Sequence, residues 1–124
     1  MNKIKIYRGY RKDGIPIVEV EEIDLTGVNT RMLENTKRHG SDFFEWGYSG
    51  AGPSDLARAI LLDMKFPKKE VDSLYQDFKY AFILPADFDG FEISEDSINA
   101  WWDFKHHNEK EEEDEEGGGF DGFL

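Results

Sequence analysis

The sequence predicts an α+β domain, a small antiparallel sheet with about three helices packed on one face. Three observations lead there. Residues 3–20 alternate and then reverse at a turn, as a β-hairpin does. Residues 53–78 place apolar side chains at helical spacing on either side of Pro67. A last amphipathic segment opens on Ser94 and carries two adjacent tryptophans, Trp101 and Trp102.

The first strand is read from Lys3, Ile4, Lys5, Ile6 and Tyr7, with Ile4 and Ile6 facing the core. Lys12-Asp13-Gly14 signals a turn, and the β-branched run Ile15–Val20 returns as the second strand, with Pro16 near its end. Thr30–Lys37 reads as a short helix and Phe43–Trp46 as a short strand. After the glycine-rich stretch Gly47–Pro53, a helix starts at Pro53 or Ser54. Leu56, Ile60 and Met64 give it a wide apolar face, and Asp55 complements its positive end. Pro67 stops it and opens a second helix marked by Val71, Leu74, Tyr75 and Phe78. Ala81–Leu84 reads as an apolar strand, and Asp89-Gly90 turns it into Phe91–Ile93. Ser94 is an N-cap for a helix running to about Lys105, with Ile98, Trp101 and Trp102 marking one face. The expected core is Ile4, Ile6, Ile17, Val20, Phe44, Trp46, Leu56, Ile60, Leu74, Phe78, Ile83, Ile98 and Trp101. The expected division is one domain over 1–107 and a tail without fixed structure over 108–124.

Composition narrows the function classes. The 124 residues suit one domain, and the absence of cysteine excludes disulfides, thiolate nucleophiles and cysteine-ligated metals. No segment reads as a signal peptide or a membrane span, so a soluble cytoplasmic protein, without membrane partners, is expected. The net charge of −12 is uneven. Residues 106–124 hold eight acids and one lysine, −7, leaving −5 for residues 1–105. The first twelve residues hold five cations and no acid.

No catalytic, metal-binding or cofactor-binding residue is predicted. His39 stands alone, and the adjacent His106 and His107 cannot share a helix face. Tyr48-Ser49-Gly50 carries only part of a nucleophile elbow, and Asp87 and Asp89 flank a turn. Three segments are candidates for binding. Lys3, Lys5, Tyr7, Arg8, Tyr10, Arg11 and Lys12 mix cations with stacking rings, the combination that holds single-stranded nucleic acid. Gly47, Tyr48, Ser49, Gly50 and Gly52 precede a helix N-terminus and offer backbone N–H groups to a nucleotide-type phosphate. That loop lacks the Gly-Lys-Ser/Thr ending of a Walker A motif, and Asp55 would oppose an anion there. The third candidate is the tail: Glu111, Glu112, Glu113, Asp114, Glu115 and Glu116, then Phe120, Phe123 and Leu124.

Two resemblances follow from these residues. The run Glu111–Leu124, acids ending in aromatics, resembles the C-terminal tails of single-stranded DNA-binding proteins, which implies partner recruitment and competition with nucleic acid. The pattern of Trp46, Gly47, Tyr48, Gly50, Gly52 and Pro53, then Leu56, Ala57, Ala59, Ile60 and Leu61, resembles an uncharacterised family of phages, archaeal viruses and mobile elements. Tyr7–Gly9, Leu84-Pro85, Trp101 and Trp102 fit the same plan, over about residues 3–105. That resemblance implies a biological setting and no mechanism. The leading expectation is a non-enzymatic accessory or inhibitor protein that binds a basic host protein through its acidic surface and tail. The alternatives are a single-stranded nucleic-acid-binding protein with a regulatory tail, and a binder of a small nucleotide-type ligand at Gly47–Pro53.

Overall fold

The structure, a computed structural model, describes residues 3–118, with side chains to His107. Strands β1 (Ile4–Lys12) and β2 (Ile15–Asp24) form the expected hairpin, with Tyr7 opposite Val20 and Gly9 opposite Val18. Asp13 and Gly14 both take positive φ, the geometry of a two-residue turn whose twist matches its strands. A third strand, β3 (Gly27–Met32), pairs with β2. It replaces the helix expected at Thr30–Lys37. Asp24 Oδ1 accepts hydrogen bonds from the Thr26 N–H and hydroxyl, which closes the turn into β3.

Residues 33–50 are irregular, so Phe43–Trp46 is not a strand, although Phe44 and Trp46 are buried. The Trp46 indole N–H donates to the Phe88 carbonyl at 3.0 Å. Helix α1 (Ala51–Asp63) is buried without a break from Gly52 to Leu61 and forms the centre of the molecule. Helix α2 (Lys68–Phe78) runs on into a π-helical segment, Lys79–Ile83. This segment replaces the expected apolar strand, since a short apolar run fits either structure. The hairpin expected between 81–84 and 91–93 is therefore absent. Instead, β4 (Gly90–Ser94) pairs antiparallel with β1, giving the sheet order β3-β2-β1-β4.

Ser94 caps helix α3 (Glu95–Gly118), its hydroxyl accepting from the Ser97 N–H at 3.2 Å. This helix passes the end expected near Lys105. No glycine or proline interrupts residues 95–116, and glutamate is a good helix former. The boundary expected at 108 falls inside the helix, while residues 119–124 lie outside the described residues.

The α+β class and the antiparallel sheet match the expectation, and Val20 is buried as expected, but the faces of β1 are exchanged. Tyr7, Val18, Val20 and Ile93 point into the core with Leu56, Ile60, Phe78, Ile83, Ile98 and Trp102. Ile4 is exposed, and Ile6 and Ile17 are only half-buried, on the opposite face. Trp102, not Trp101, is the more buried tryptophan of α3, stacked on Phe66 with ring centroids 3.9 Å apart.

Candidate functional site

The N-terminal cations lie along β1, but the fold pairs them with acids. Lys5 donates to Asp63 from its ammonium, and its backbone N–H donates to Glu95. Arg8 bridges Glu21 at 2.8 Å and Glu92 at 3.2 Å. Arg11 binds Glu45 at 2.9 Å and lies over the rings of Trp46 and Phe88. Lys3 reaches Glu22 at 3.9 Å. Tyr10 donates to Glu19, and Tyr7, fully buried, donates to Asp63 at 2.7 Å. Lys12 alone of the seven candidate residues is exposed without a polar partner among the described residues. A strand with Ile4 and Ile6 facing the core would turn Lys3, Lys5 and Tyr7 to the open surface, and the structure has the reverse for Lys5 and Tyr7. Lys5 and Tyr7 point toward the end of α1, and the open face carries Ile4, Ile6, Arg8 and Tyr10.

Asp63 is the hub of this network. Arg31 on β3 reaches it at 2.9 Å and also binds Glu22. Burial alone would raise the Asp63 pKa. The hydrogen bonds from Arg31 and Tyr7 outweigh it and hold the carboxyl below its ordinary range. Burial, then the neighbouring Asp63 carboxylate, pushes the Tyr7 phenol strongly upward. Lys5 thus ties the sheet to the end of α1, while Lys3 and Arg8 pair within the sheet and Arg11 holds the irregular segment.

The glycine-rich segment enters α1 along a crowded path. Gly47 has φ +88°, and its N–H donates to the Ile83 carbonyl. A Cβ on Gly52 would lie 2.9 Å from Glu45 Cβ and 3.0 Å from the Phe43 carbonyl oxygen, so only glycine fits there. Asp55 does not serve the helix end. Its two oxygens accept from the His39 N–H, the Ser41 N–H and the Ser41 hydroxyl, pinning the irregular segment to α1. The first turn of α1 holds no acid, and Gly50 at its N-cap supplies no side chain.

Beneath this loop lies a residue that sequence reasoning passed over. Lys79, only 5 % exposed, opens the π-helical segment and directs its ammonium at Ser49 Oγ (3.0 Å) and Ser54 Oγ (3.3 Å), beside the Tyr80 ring. Its sequence signal is periodic: Val71, Tyr75 and Lys79 recur every four residues on the inner face, and the lysine continues an apolar series. Arg58, also buried, has an acidic partner, Asp72 at 2.8 Å, which Lys79 does not have among the described residues.

Glu111–Glu116 fall in the helical backbone of α3, and Phe120, Phe123 and Leu124 lie outside the described residues. Among the described residues no group of three or more His, Asp or Glu could hold a metal ion. None of their helices is long and apolar enough to cross a membrane.

A family model described as a family of unknown function (DUF6166) matches residues 7–104. The chain belongs to this family. The DUF6166 match runs from Tyr7 within β1 through the tryptophans of α3, and so covers most of the sheet, both core helices and the loop over Lys79. It stops short of the acidic run. No curated protein and no solved structure matches the chain.

Proposed function

We propose that this DUF6166 protein is a non-enzymatic accessory protein that binds a basic host protein through its acidic surface and tail. The observation that carries the reading is the internal neutralisation of the N-terminal cations. Lys3, Lys5, Arg8 and Arg11 are engaged by Glu22, Asp63, Glu21, Glu92 and Glu45, and Tyr7 is buried. What faces a partner is then the unpaired excess of acid. Asp87, Asp89, Asp96 and Asp103 are exposed on the described surface, and the run 111–116 adds to them. Complementary charge speeds encounter and makes binding salt-sensitive. The viral or mobile-element setting, and a nucleic-acid-processing defence or replication factor as partner, rest on the resemblance of the Trp46–Leu61 segment and on this charge.

The test compares the full chain with residues 1–107 as baits in host extract at low and high salt, beside a gel shift with a short single-stranded oligonucleotide. A basic protein held at low salt by the full chain and lost by 1–107 supports the reading. Equal capture by both baits counts against the tail. An oligonucleotide shift that strengthens on truncation and weakens in Lys5→Ala would replace the reading with nucleic-acid binding.

A further inference from the structure

The N-terminus of α1 is electrostatically unfinished. Its first turn has no acid and no side-chain cap. Its hydrogen-bond ladder begins with the Ser54 N–H on the Gly50 carbonyl. The N–H groups of Ala51 and Gly52 therefore have no acceptor in the ladder, and Pro53 has none to donate. To this positive end the fold adds a second positive charge, the Lys79 ammonium, 95 % buried and 3.3 Å from Ser54 in the same turn. Its contacts are two hydroxyls and a tyrosine ring, all uncharged, and no carboxylate lies within ion-pair distance among the described residues. Glu45, whose Cβ and Cγ pack on Gly52, sends its carboxylate to Arg11. Asp55 spends both oxygens on His39 and Ser41. A buried ammonium placed against a helix dipole of the same sign, with the neighbouring acids turned away, is the environment an oxyanion would complete.

We propose that Lys79, Ser49 and Ser54, with the free N–H groups opening α1, bind the phosphate group of a small ligand. Ser49, one of the two hydroxyls that hold the ammonium, is exposed at the surface. Tyr48 and Tyr80, about half exposed, lie close by, one ring against Gly50 and the other beside Nζ. Rings in this position favour a phosphate carried on an aromatic base, so a mononucleotide binds more tightly than inorganic phosphate. The field is local: the acidic charge elsewhere is screened over about 10 Å in ordinary salt. This site stands apart from the acidic-surface reading, and either can fail without the other.

The experiment titrates the full chain with inorganic phosphate and with adenosine monophosphate, at fixed ionic strength, following the amide signals of residues 47–56. Saturable shifts are expected with dissociation constants of about a millimolar for phosphate and about fivefold lower for the nucleotide. Lys79→Met should weaken binding by about tenfold or more, and the milder Ser49→Ala, at an exposed position, by about threefold. Amide signals of β1 and β2 report whether each variant is folded. Tighter nucleotide binding assigns the ligand to nucleotides, and equal binding assigns it to phosphate itself. No saturable shift with either probe at about 20 mM overturns the proposal, as does a folded Lys79→Met that binds like the natural chain.

Discussion

Asp72 shows how one carboxylate can govern acid stability. Arg58, buried, binds it at 2.8 Å, and Lys68 and Arg38 bind it from the surface. The hydrogen bond from Arg58, then that from Lys68, lowers its pKa from 3.8 to about 2. A carboxyl whose folded pKa is depressed contributes stability above its unfolded pKa and loses it as pH falls through the folded value. The window here runs from about pH 4 down to about pH 2, and Asp63, lowered in the same direction, adds to it. Asp72→Asn is expected to cost about 1–3 kcal/mol at pH 7, chiefly because Arg58 loses a charged partner, since the exposed Lys68 and Arg38 pairs are screened. Urea midpoints at pH 7 and pH 2.5 should converge between the variant and the natural chain as the acid is approached. A constant gap between them would show that Asp72 is not the titrating group.

At the scale of elements, β1 carries the sharpest lesson. Alternation correctly marked the strand, but it does not say which face is inside when both faces carry apolar residues, as Ile4, Ile6, Tyr7 and Gly9 do. A residue set one position over reverses the assignment, and the structure chose Tyr7 because its hydroxyl finds Asp63 at the end of α1. Tyr7→Ala should therefore cost about 3–5 kcal/mol and Ile6→Thr less than about 1.5 kcal/mol, read by chemical unfolding. The reverse order would restore the opposite face. The same logic separates the α3 tryptophans. Trp102→Ala, which removes the ring stacked on Phe66, should cost about 3–5 kcal/mol, and Trp101→Ala clearly less.

The elements that sequence reading caught had strong local signals: the Asp13-Gly14 turn, the four-residue spacing through α1 and α2, and the Ser94 cap. Strand β3 was missed because it is an edge strand, exposed at every position except Arg31, and so leaves no apolar alternation. The π-helical Lys79–Ile83 was missed because the apolar run it opens fits a buried strand equally well. Of the candidate sites, the glycine segment was visible as a motif. Its lysine was not, because the two are 30 residues apart and meet only when α2 docks on α1.

For the whole molecule, the division of charge makes a prediction that the sequence total alone does not. The full chain carries −12, whereas residues 1–107 carry −5, since residues 108–124 hold eight acids and one lysine. The core closes at Trp102, and His106, near the end of the described side chains, pairs with Glu70 at 3.0 Å. Removing residues 108–124 should therefore leave the melting temperature within about 4 °C of the full chain, a change below about 1 kcal/mol. The salt response should differ more. Added salt relieves repulsion between the acidic run and an already acidic body, so the full chain should gain stability on going from about 20 to 500 mM sodium chloride, and 1–107 should gain less. Parallel salt curves would mean that the acidic run does not act on the body at all. A truncation that unfolds the protein would mean that α3 beyond His107 is part of the fold, and the bait comparison would then need charge-reversing substitutions at 111–116 in place of deletion.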